Sequence, residues 1–146
     1  MKLLKLFVAT IGLGGMANMV EAQGGPATRN YSKEADQLWK AGAYSEAAEA
    51  FKKASEKVNP KNAKARLKKA YYAYMSATCY KLLHEFPAAE QQYEKAVLLK
   101  YQETEPKTYF YLAEMEMAQC KHDEAKENYQ KYDKLNPGDA ITKVRI

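Results

Sequence analysis

Apolar and polar residues recur along the chain with the spacing of α-helices. From about residue 31 onward, apolar side chains return every three or four positions, and no run alternates with a period of two. Residues that break helices stand at regular places, among them Gly42, Asn59-Pro60 and Pro106. The pattern predicts six helices, and the short turns between them predict three antiparallel hairpins. The expected bounds are 31–41, 45–58, 62–83, 87–99, 106–118 and 122–135.

Three stretches, each beginning at a turn, repeat one arrangement of small and aromatic residues. They are GAYSEAAEAFKKA (42–54), HEFPAAEQQYEKA (84–96) and CKHDEAKENYQKY (120–132). Each contains an alanine, an aromatic residue four positions later and a third core residue three further on. The three sets are Ala47, Phe51 and Ala54; Ala89, Tyr93 and Ala96; and Ala125, Tyr129 and Tyr132. The alanines are 42 and then 36 residues apart, a period typical of repeat proteins.

This spacing has a simple physical interpretation. The small alanine lets the backbones of two helices approach at their crossing, and the aromatic residue fills the space that opens one turn further on. At the helix ends, Ser45 and Asp123 are expected N-caps, because their short side chains accept hydrogen bonds from free backbone N–H groups. Pro87 suits a first helical turn, where its missing N–H costs nothing.

The repeated segments resemble the tetratricopeptide repeat (TPR), in which Gly-x-Tyr-x-Glu-Ala, an aromatic residue, Ala and a final Pro recur about every 34 residues. The first repeat matches at Gly42, Tyr44, Glu46, Ala47, Phe51, Ala54 and Pro60; the second at Ala77, Tyr80, Phe86, Ala89, Tyr93 and Ala96; the third at Tyr109, Leu112, Ala113, Asp123, Glu124, Ala125, Tyr129 and Pro137. The resemblance implies an all-α fold of three TPR hairpins in a right-handed superhelix. The implied TPR domain covers 31–139, with repeats at about 28–60, 62–101 and 106–139, and 140–146 starts a capping or next-repeat helix.

Two departures from the TPR pattern change the expected shape. His84 and Cys120 stand where a turn glycine is usual. The first two repeats are also eight residues further apart than the usual 34-residue spacing. The additional residues, KNAKARLKK, contain no breaker after Asn62, and we expect them to lengthen the third helix by about two turns.

The first 22 residues have the features of a secretory signal peptide. Lys2 and Lys5 precede a short apolar stretch, and Val20 and Ala22 place small residues before a cleavage point at Gln23. An anchoring transmembrane helix is the alternative, but the apolar run is short and rich in glycine. Residues 23–30 form an expected flexible leader. The mature chain is therefore expected in the periplasm or at the outer membrane; an intracellular TPR adaptor is the weaker alternative.

A narrower resemblance combines this signal with the segments ADQLWKAGAYSEAAEAFKKA, YFYLAEMEMAQCKHDEAKENYQKY and LNPGD. Together they are similar to the N-terminal TPR segment of bacterial OmpA-associated outer-membrane proteins, some of which serve type IX secretion. In that family a β-propeller and a peptidoglycan-binding domain follow the repeats. The sequence here stops at Ile146, as DAITKVRI begins another expected helix. It is therefore expected to be a truncated or separately encoded module.

Charge is mild in total but concentrated in one region. Without the signal peptide the chain has 21 basic and 17 acidic side chains, and no nucleic-acid motif is present. Residues 52–69 contain eight basic residues and one acid, Glu56. The predicted basic patch comprises Lys61, Lys64, Arg66, Lys68 and Lys69. It is either a solvated helix connection or a docking patch for an acidic partner or an anionic envelope surface.

Catalytic chemistry is not indicated. His84 and His122 stand near turns without metal-ligand spacing, and no phosphate-binding loop or nucleophile motif occurs in the mature chain. The carboxylates alternate with lysines on helix faces, which supports helices rather than acid–base catalysis. We therefore expect no enzyme, no metal and no cofactor. Cys79 and Cys120 are expected to be two unpaired thiols, the alternative being one disulfide bridge.

Aromatic residues are the more informative candidates for function. The chain has twelve tyrosines, and five residues fall where a TPR domain lines its concave groove. The predicted groove residues are Trp39, Tyr71, Tyr74, Phe110 and Met117. Packing between repeats is the alternative role, whereas aromatic residues and Met are also favoured at binding interfaces. A carboxylate clamp for chaperone tails is excluded, because Ser32, Asp36, Tyr74 and Thr78 stand in place of the lysines and asparagines it needs.

The function expected from these features is an exported, non-catalytic scaffold that binds a protein of the cell envelope. A secretion or envelope-assembly complex is the expected setting. The alternative is a glycan- or peptidoglycan-binding module in which the same aromatic groove stacks on sugars. Nucleic acid is not an expected partner, and no transmembrane span is expected in the mature chain.

Overall fold

The computed structural model of the chain describes residues 30–140, and this part of the protein is all-helical. The expected signal peptide, nearly all of the leader and the expected capping helix after residue 140 lie outside the described residues. The helices are α1 (Tyr31–Lys40), α2 (Tyr44–Lys57), α3 (Ala63–Leu82), α4 (Phe86–Leu98), α5 (Lys107–Ala118) and α6 (His122–Leu135). Each agrees with its expected bounds within one residue. A short 3-10 helix, Tyr101–Glu103, was not expected.

Each helix packs mainly against the next one in the chain, from α1 on α2 through to α5 on α6. Turns of three residues connect α1 to α2, α3 to α4 and α5 to α6, so the two helices of each pair must run in opposite directions. Helix α3 has 20 residues, against 10 in α1 and 12 in α5. The expected lengthening of the third helix is therefore confirmed.

The three hairpin turns share one backbone geometry. Gly42, His84 and Cys120 have positive φ angles of 75°, 59° and 60°. In the first turn the Gly42 N–H donates to the Trp39 carbonyl and the Ala43 N–H to the Leu38 carbonyl, both at 3.0 Å. Residues 84–85 and 120–121 form the same two bonds, at 2.9–3.1 Å. These are Schellman motifs, which satisfy the last carbonyls of the first helix and reverse the chain.

This geometry explains why the two predicted N-caps are wrong. The residue that completes each Schellman motif is itself the N-cap of the next helix: Ala43 before α2 and Lys121 before α6, neither with a side-chain capping bond. Ser45 and Asp123 consequently lie inside the first helical turn. Asp123 still favours the helix there, because a negative charge offsets the positive end of its dipole. Pro87 lies in the first turn of α4, as expected.

The repeated core positions are buried in all three hairpins. The alanines at the crossings, Ala47, Ala89 and Ala125, have no exposed surface, and the six partner residues are at most 4% exposed. In the second hairpin the Tyr93 hydroxyl oxygen lies 3.3 Å from the Thr78 hydroxyl oxygen, and the two groups form a hydrogen bond. In the third hairpin the Tyr129 hydroxyl donates to Glu114, again fifteen residues earlier in the chain. The predicted core positions are therefore confirmed as buried, and the close helix crossing at each alanine stays a prediction.

The non-glycine turn residues predict a stabilising substitution. Cys120→Gly should raise the free energy of unfolding by about 0.5–1 kcal/mol, because glycine adopts a left-handed φ without the strain of a Cβ atom. Gly42→Ala should lower it similarly: a Cβ at Gly42 would meet nothing within 4 Å, so only the φ angle penalises it. Guanidinium unfolding followed by circular dichroism measures both changes. Cys120→Ala is the control, since it removes the thiol but keeps the strain of a Cβ atom at positive φ. If it raised the free energy of unfolding as much as Cys120→Gly does, backbone strain at Cys120 would not be the cause of the gain.

Candidate partner-binding surface

Five tyrosine rings meet where the second and third hairpins join, and we call them the tyrosine cluster. Its members are Tyr71, Tyr74, Tyr93, Tyr101 and Tyr111. Tyr74 is central: its ring centroid lies 5.0 Å from that of Tyr101, 5.7 Å from Tyr93 and 6.5 Å from Tyr111. Tyr71 contacts Tyr101 at 6.4 Å, and Tyr93 stacks on Tyr111 at 5.9 Å. Such separations are favourable for aromatic pairs, so the cluster ties α3 to α4 and α5.

Small side chains on α3 and α4 create the place for Tyr101. After α4, Lys100 adopts a left-handed φ of 66° and turns the chain into the 3-10 helix, which contacts α3, α4 and α5. There Tyr101 is only 9% exposed and packs with Ala70, Ala73 and Ala96. The two alanines of α3 leave the space that the tyrosine ring fills. The sequence analysis did not predict that Tyr101 is buried, because this residue lies in the connection between two predicted helices. Its large aromatic side chain in a connection was the only feature that indicated burial.

Burial favours the neutral form of four hydroxyl groups in the cluster. It raises the pKa of Tyr74 and Tyr93 well above the ordinary tyrosine value, and the pKa of Tyr71 and Tyr101 is raised for the same reason. Protonated hydroxyls can donate or accept hydrogen bonds but carry no charge. Beside them, the Lys81 ammonium nitrogen lies 3.6 Å from the centroid of the Tyr111 ring. Burial lowers the pKa of Lys81, while its cation–π contact with the ring favours the charged form.

One edge of the cluster faces solvent. Tyr71 is 38% exposed and Leu67, one helical turn before it on α3, is 42% exposed. Residues four apart on a helix lie on the same face, so the two side chains form a contiguous apolar step. Lys64 and Lys68 are exposed on the same two turns, and the Lys68 nitrogen lies 5.8 Å from the centroid of the Tyr72 ring. We call Leu67, Tyr71, Lys64 and Lys68 the α3 step.

The predicted groove residues are not all brought together. Tyr71 and Tyr74 belong to the cluster, and Phe110 joins it through Tyr111 at 5.7 Å. Phe110 also contacts Tyr129 and Tyr132 in the third hairpin, at 5.7 and 5.5 Å. Trp39 and Met117 lie apart from these rings. Trp39 packs on Tyr44 across its own turn, at 5.2 Å, and Met117 is 41% exposed near the end of α5.

The predicted basic patch surrounds the start of α3. Lys61, Lys64, Arg66 and Lys68 are exposed. Lys69 is half-buried, and its ammonium group donates to the Val58 carbonyl at 3.1 Å. The Asn62 side chain caps α3 by accepting from the Ala65 N–H at 2.8 Å, but the first turn contains no acid. Cations at the positive end of a helix dipole add to its field, so this end of α3 attracts anions.

Buried acids elsewhere hold the hairpins together. Glu90 is 8% exposed and accepts from the Lys121 ammonium at 2.7 Å and from the Gln119 amide at 2.6 Å. Glu116 accepts from Asn128 at 2.8 Å, and burial raises the pKa of its carboxyl group. The first set connects α4 to the third turn, and the second connects α5 to α6. Donors already hold these carboxylates, which suits a structural role.

Histidine and cysteine residues are dispersed. His84 and His122 are exposed near the second and third turns. Cys79 is buried in α3 and Cys120 is exposed; both are free thiols, and burial raises the pKa of Cys79 to about 12. Within residues 30–140, no group of three or more His, Cys, Asp or Glu side chains is arranged to hold a metal ion.

No helix within the described range is both long and apolar enough to cross a membrane. Comparison of the sequence with protein-family models finds no matching family, and comparison with curated proteins finds no matching relative. The tyrosine cluster, its exposed α3 step and the surrounding lysines form the candidate partner-binding surface.

Proposed function

We propose that the protein is an exported, non-catalytic TPR scaffold that binds a protein partner in the periplasm or at the outer membrane. The observation that supports it best is the threefold recurrence of one local structure. A left-handed turn residue, a fully buried alanine and a buried aromatic residue return at intervals of 42 and 36 residues. Packing mainly between sequential helices also suits a repeat array, in which each unit contacts its neighbours. A right-handed superhelix and a relationship to OmpA-associated proteins of type IX secretion belong to this proposal.

The α3 step is the favoured binding position. Interfaces prefer a central apolar or aromatic anchor that is desolvated on binding, with charged residues at the rim. Leu67 and Tyr71 supply such an anchor, and Lys64 and Lys68 supply a positive rim. A partner segment with an apolar residue between acidic residues would complement both. The extra turns that set α3 apart from α1 and α5 then have a function, since they carry this surface.

Tyr71 provides a test that separates binding from folding. The partner would first be recovered from a bacterial envelope fraction by cross-linking to the purified protein, and its affinity then measured by calorimetry. Tyr71→Ala should weaken binding at least about tenfold, equivalent to 1.4 kcal/mol, because a hot-spot side chain contributes at least that much. Tyr109→Ala is the matched control: Tyr109 lies outside the cluster on α5, where its ring faces the Lys131 ammonium at 5.8 Å.

Three outcomes would decide the proposal. Unchanged affinity of a folded Tyr71→Ala protein would remove the α3 step as the binding position. Binding of purified peptidoglycan fragments by the protein alone, lost in Tyr71→Ala, would favour the glycan-binding alternative, since an exposed tyrosine ring can stack on a sugar. A mature protein whose measured mass does not correspond to cleavage before Gln23 would contradict export by the expected signal peptide.

A further inference from the structure

A cavity of about 330 Å³ runs between the two helices of the first hairpin, and we call it the α1–α2 groove. One side is formed by three residues of α1, which are Tyr31, Glu34 and Leu38. Their spacing of three and four positions places them on one face of the helix. The other side is formed by residues of α2, among them Glu46, Glu49, Ala50 and Lys53.

The equivalent face of α3 is covered by the preceding hairpin. The three groove residues of α1 have counterparts 42 residues later on α3, which are Ala73, Ser76 and Tyr80. All three counterparts are at most 8% exposed. The Ser76 hydroxyl donates to the Ala48 carbonyl of α2 at 2.9 Å, and the Tyr80 hydroxyl donates to Glu49 of α2. In the second hairpin, the first helix therefore uses this face to pack on the element that precedes it.

The first hairpin has no earlier helix to cover this face within residues 30–140. Only the N-cap residue, Asn30, precedes α1 in this part of the chain. The chain itself continues for 29 residues before Asn30. The residues directly before α1 start at its N-terminal end, where Tyr31 forms one end of the groove. They are therefore the segment of the chain nearest to the groove.

Residues 24–29 are long enough to follow the whole groove. Along α1 the groove extends from Tyr31 to Leu38, which is about 10 Å at the helical rise of 1.5 Å per residue. Six residues of extended chain reach about 20 Å. The sequence of the segment, GGPATR, favours an extended course, because glycine is a poor helix former and the residue before proline avoids the helical region.

The charges of the groove and of this segment are complementary. The groove is lined by the carboxylates of Glu34, Glu46 and Glu49 and by one ammonium group, that of Lys53. Residues 24–29 contain one basic residue and no acid. An arginine entering the groove therefore meets more negative than positive charge, which favours this segment over an acidic one.

We propose that residues 24–29 fold back along the α1–α2 groove and close the open side of the first hairpin, an arrangement that we call the leader cap. Arg29 lies at the entrance, where its guanidinium group contacts Glu34 and Glu49. A stack of hairpins needs a polar cap at each end, because every inner hairpin covers the face of its neighbour. The groove shares no residue with the tyrosine cluster or the α3 step, so the leader cap is independent of the proposed partner binding. It is also independent of cleavage before Gln23, since both forms of the chain contain residues 24–29.

Nuclear magnetic resonance on the purified protein tests the leader cap directly. The backbone order parameters of Ala27 and Thr28 should exceed about 0.6, the value below which a backbone is flexible. Nuclear Overhauser contacts should connect Pro26 and Ala27 to Leu38 and Ala50, which line the groove. Order parameters below about 0.6 would overturn the proposal. A dimer in analytical ultracentrifugation, with contacts from Leu38 and Ala50 to the other copy, would instead assign the groove to a second copy of the chain.

Ala50→Gln tests where the leader lies. Ala50 is 5% exposed at the groove, so a longer side chain fills the room that the leader needs. The counterpart in the second hairpin is Gln92, which shows that a hairpin accommodates glutamine at this place. The order parameters of the leader should fall below about 0.6 in this variant. Ala118→Gln, exposed at the end of α5, is the matched control and should change nothing. An ordered leader in folded Ala50→Gln would contradict the proposal, because the leader would then pack elsewhere.

Arg29→Glu tests the charge contact. It places an acid against the carboxylates of the groove, so it should release the leader and lower the melting temperature by a few degrees. Arg29→Lys keeps the charge and should keep the leader ordered. Lys33→Glu is the matched control, because Lys33 is exposed in the first turn of α1 and does not line the groove. Melting curves establish that each variant is folded, and unchanged order parameters in folded Arg29→Glu would overturn the contact of Arg29 with the groove.

Discussion

Replacing Tyr93 by alanine is expected to lower the free energy of unfolding by about 3–5 kcal/mol, the range for removing a large buried aromatic side chain. Tyr93 has no exposed surface and contacts the rings of Tyr74 and Tyr111. Its loss would leave a void where α3, α4 and α5 meet. Since domains of this kind are stable by about 5–15 kcal/mol, the variant should be close to unfolding at 37 °C. Guanidinium unfolding followed by circular dichroism would measure the change.

Tyr93→Phe is the matched control for this substitution. It keeps the ring and removes only the hydroxyl, which pairs with Thr78 at 3.3 Å. Thr78 would remain satisfied, because its hydroxyl also donates to the Tyr74 carbonyl at 2.9 Å. We expect a loss of only about 0.5–1.5 kcal/mol. A Tyr93→Ala protein as stable as Tyr93→Phe would show that the cluster does not hold the two hairpins together.

Replacing Ala89 by leucine should lower the free energy of unfolding by about 1–3 kcal/mol, the usual cost of overpacking a filled core. Ala89 has no exposed surface and lies where α4 crosses α3. Three additional carbons would force the helices apart or push neighbouring side chains from their preferred rotamers. Thermal melting with the same spectroscopic signal would detect it.

Ala118→Leu serves as the control for leucine itself, since Ala118 is exposed at the end of α5. We expect its stability to stay within about 0.5 kcal/mol of the wild type, as for most surface substitutions. If Ala89→Leu melted together with Ala118→Leu, the close crossing of α3 and α4 would be wrong.

The sequence by itself determined the helices, their order and the buried positions of each hairpin. These features depend on local periodicity: apolar residues on one face of a helix, breakers between helices, and an alanine followed by an aromatic residue one turn later. The predicted helix bounds agree with those of the structure within one residue. The reason is that Gly42, the Asn59-Pro60 pair and Pro106 end or precede helices through their local backbone preferences, independently of the tertiary structure. The length of α3 followed equally from a stretch without breakers.

Only the tertiary structure decided which distant side chains meet. Ser45 and Asp123 have the chemistry of N-caps, but the Schellman turn assigns those places to Ala43 and Lys121. Tyr101 enters the core because the chain folds back onto Ala70 and Ala73 of α3. Trp39 packs on Tyr44 and not on Tyr74, although the sequence placed both Trp39 and Tyr74 in the predicted groove.

The same distinction applies to the candidate partner-binding surface. The α3 step lies on one helix, so its residues could be listed from helical spacing alone. The tyrosine cluster could not, because its rings come from α3, α4, α5 and the 3-10 helix. Helical periodicity places a residue on the face of its own helix. Which residues of other helices complete or leave open its hydrogen bonds depends on how the helices pack.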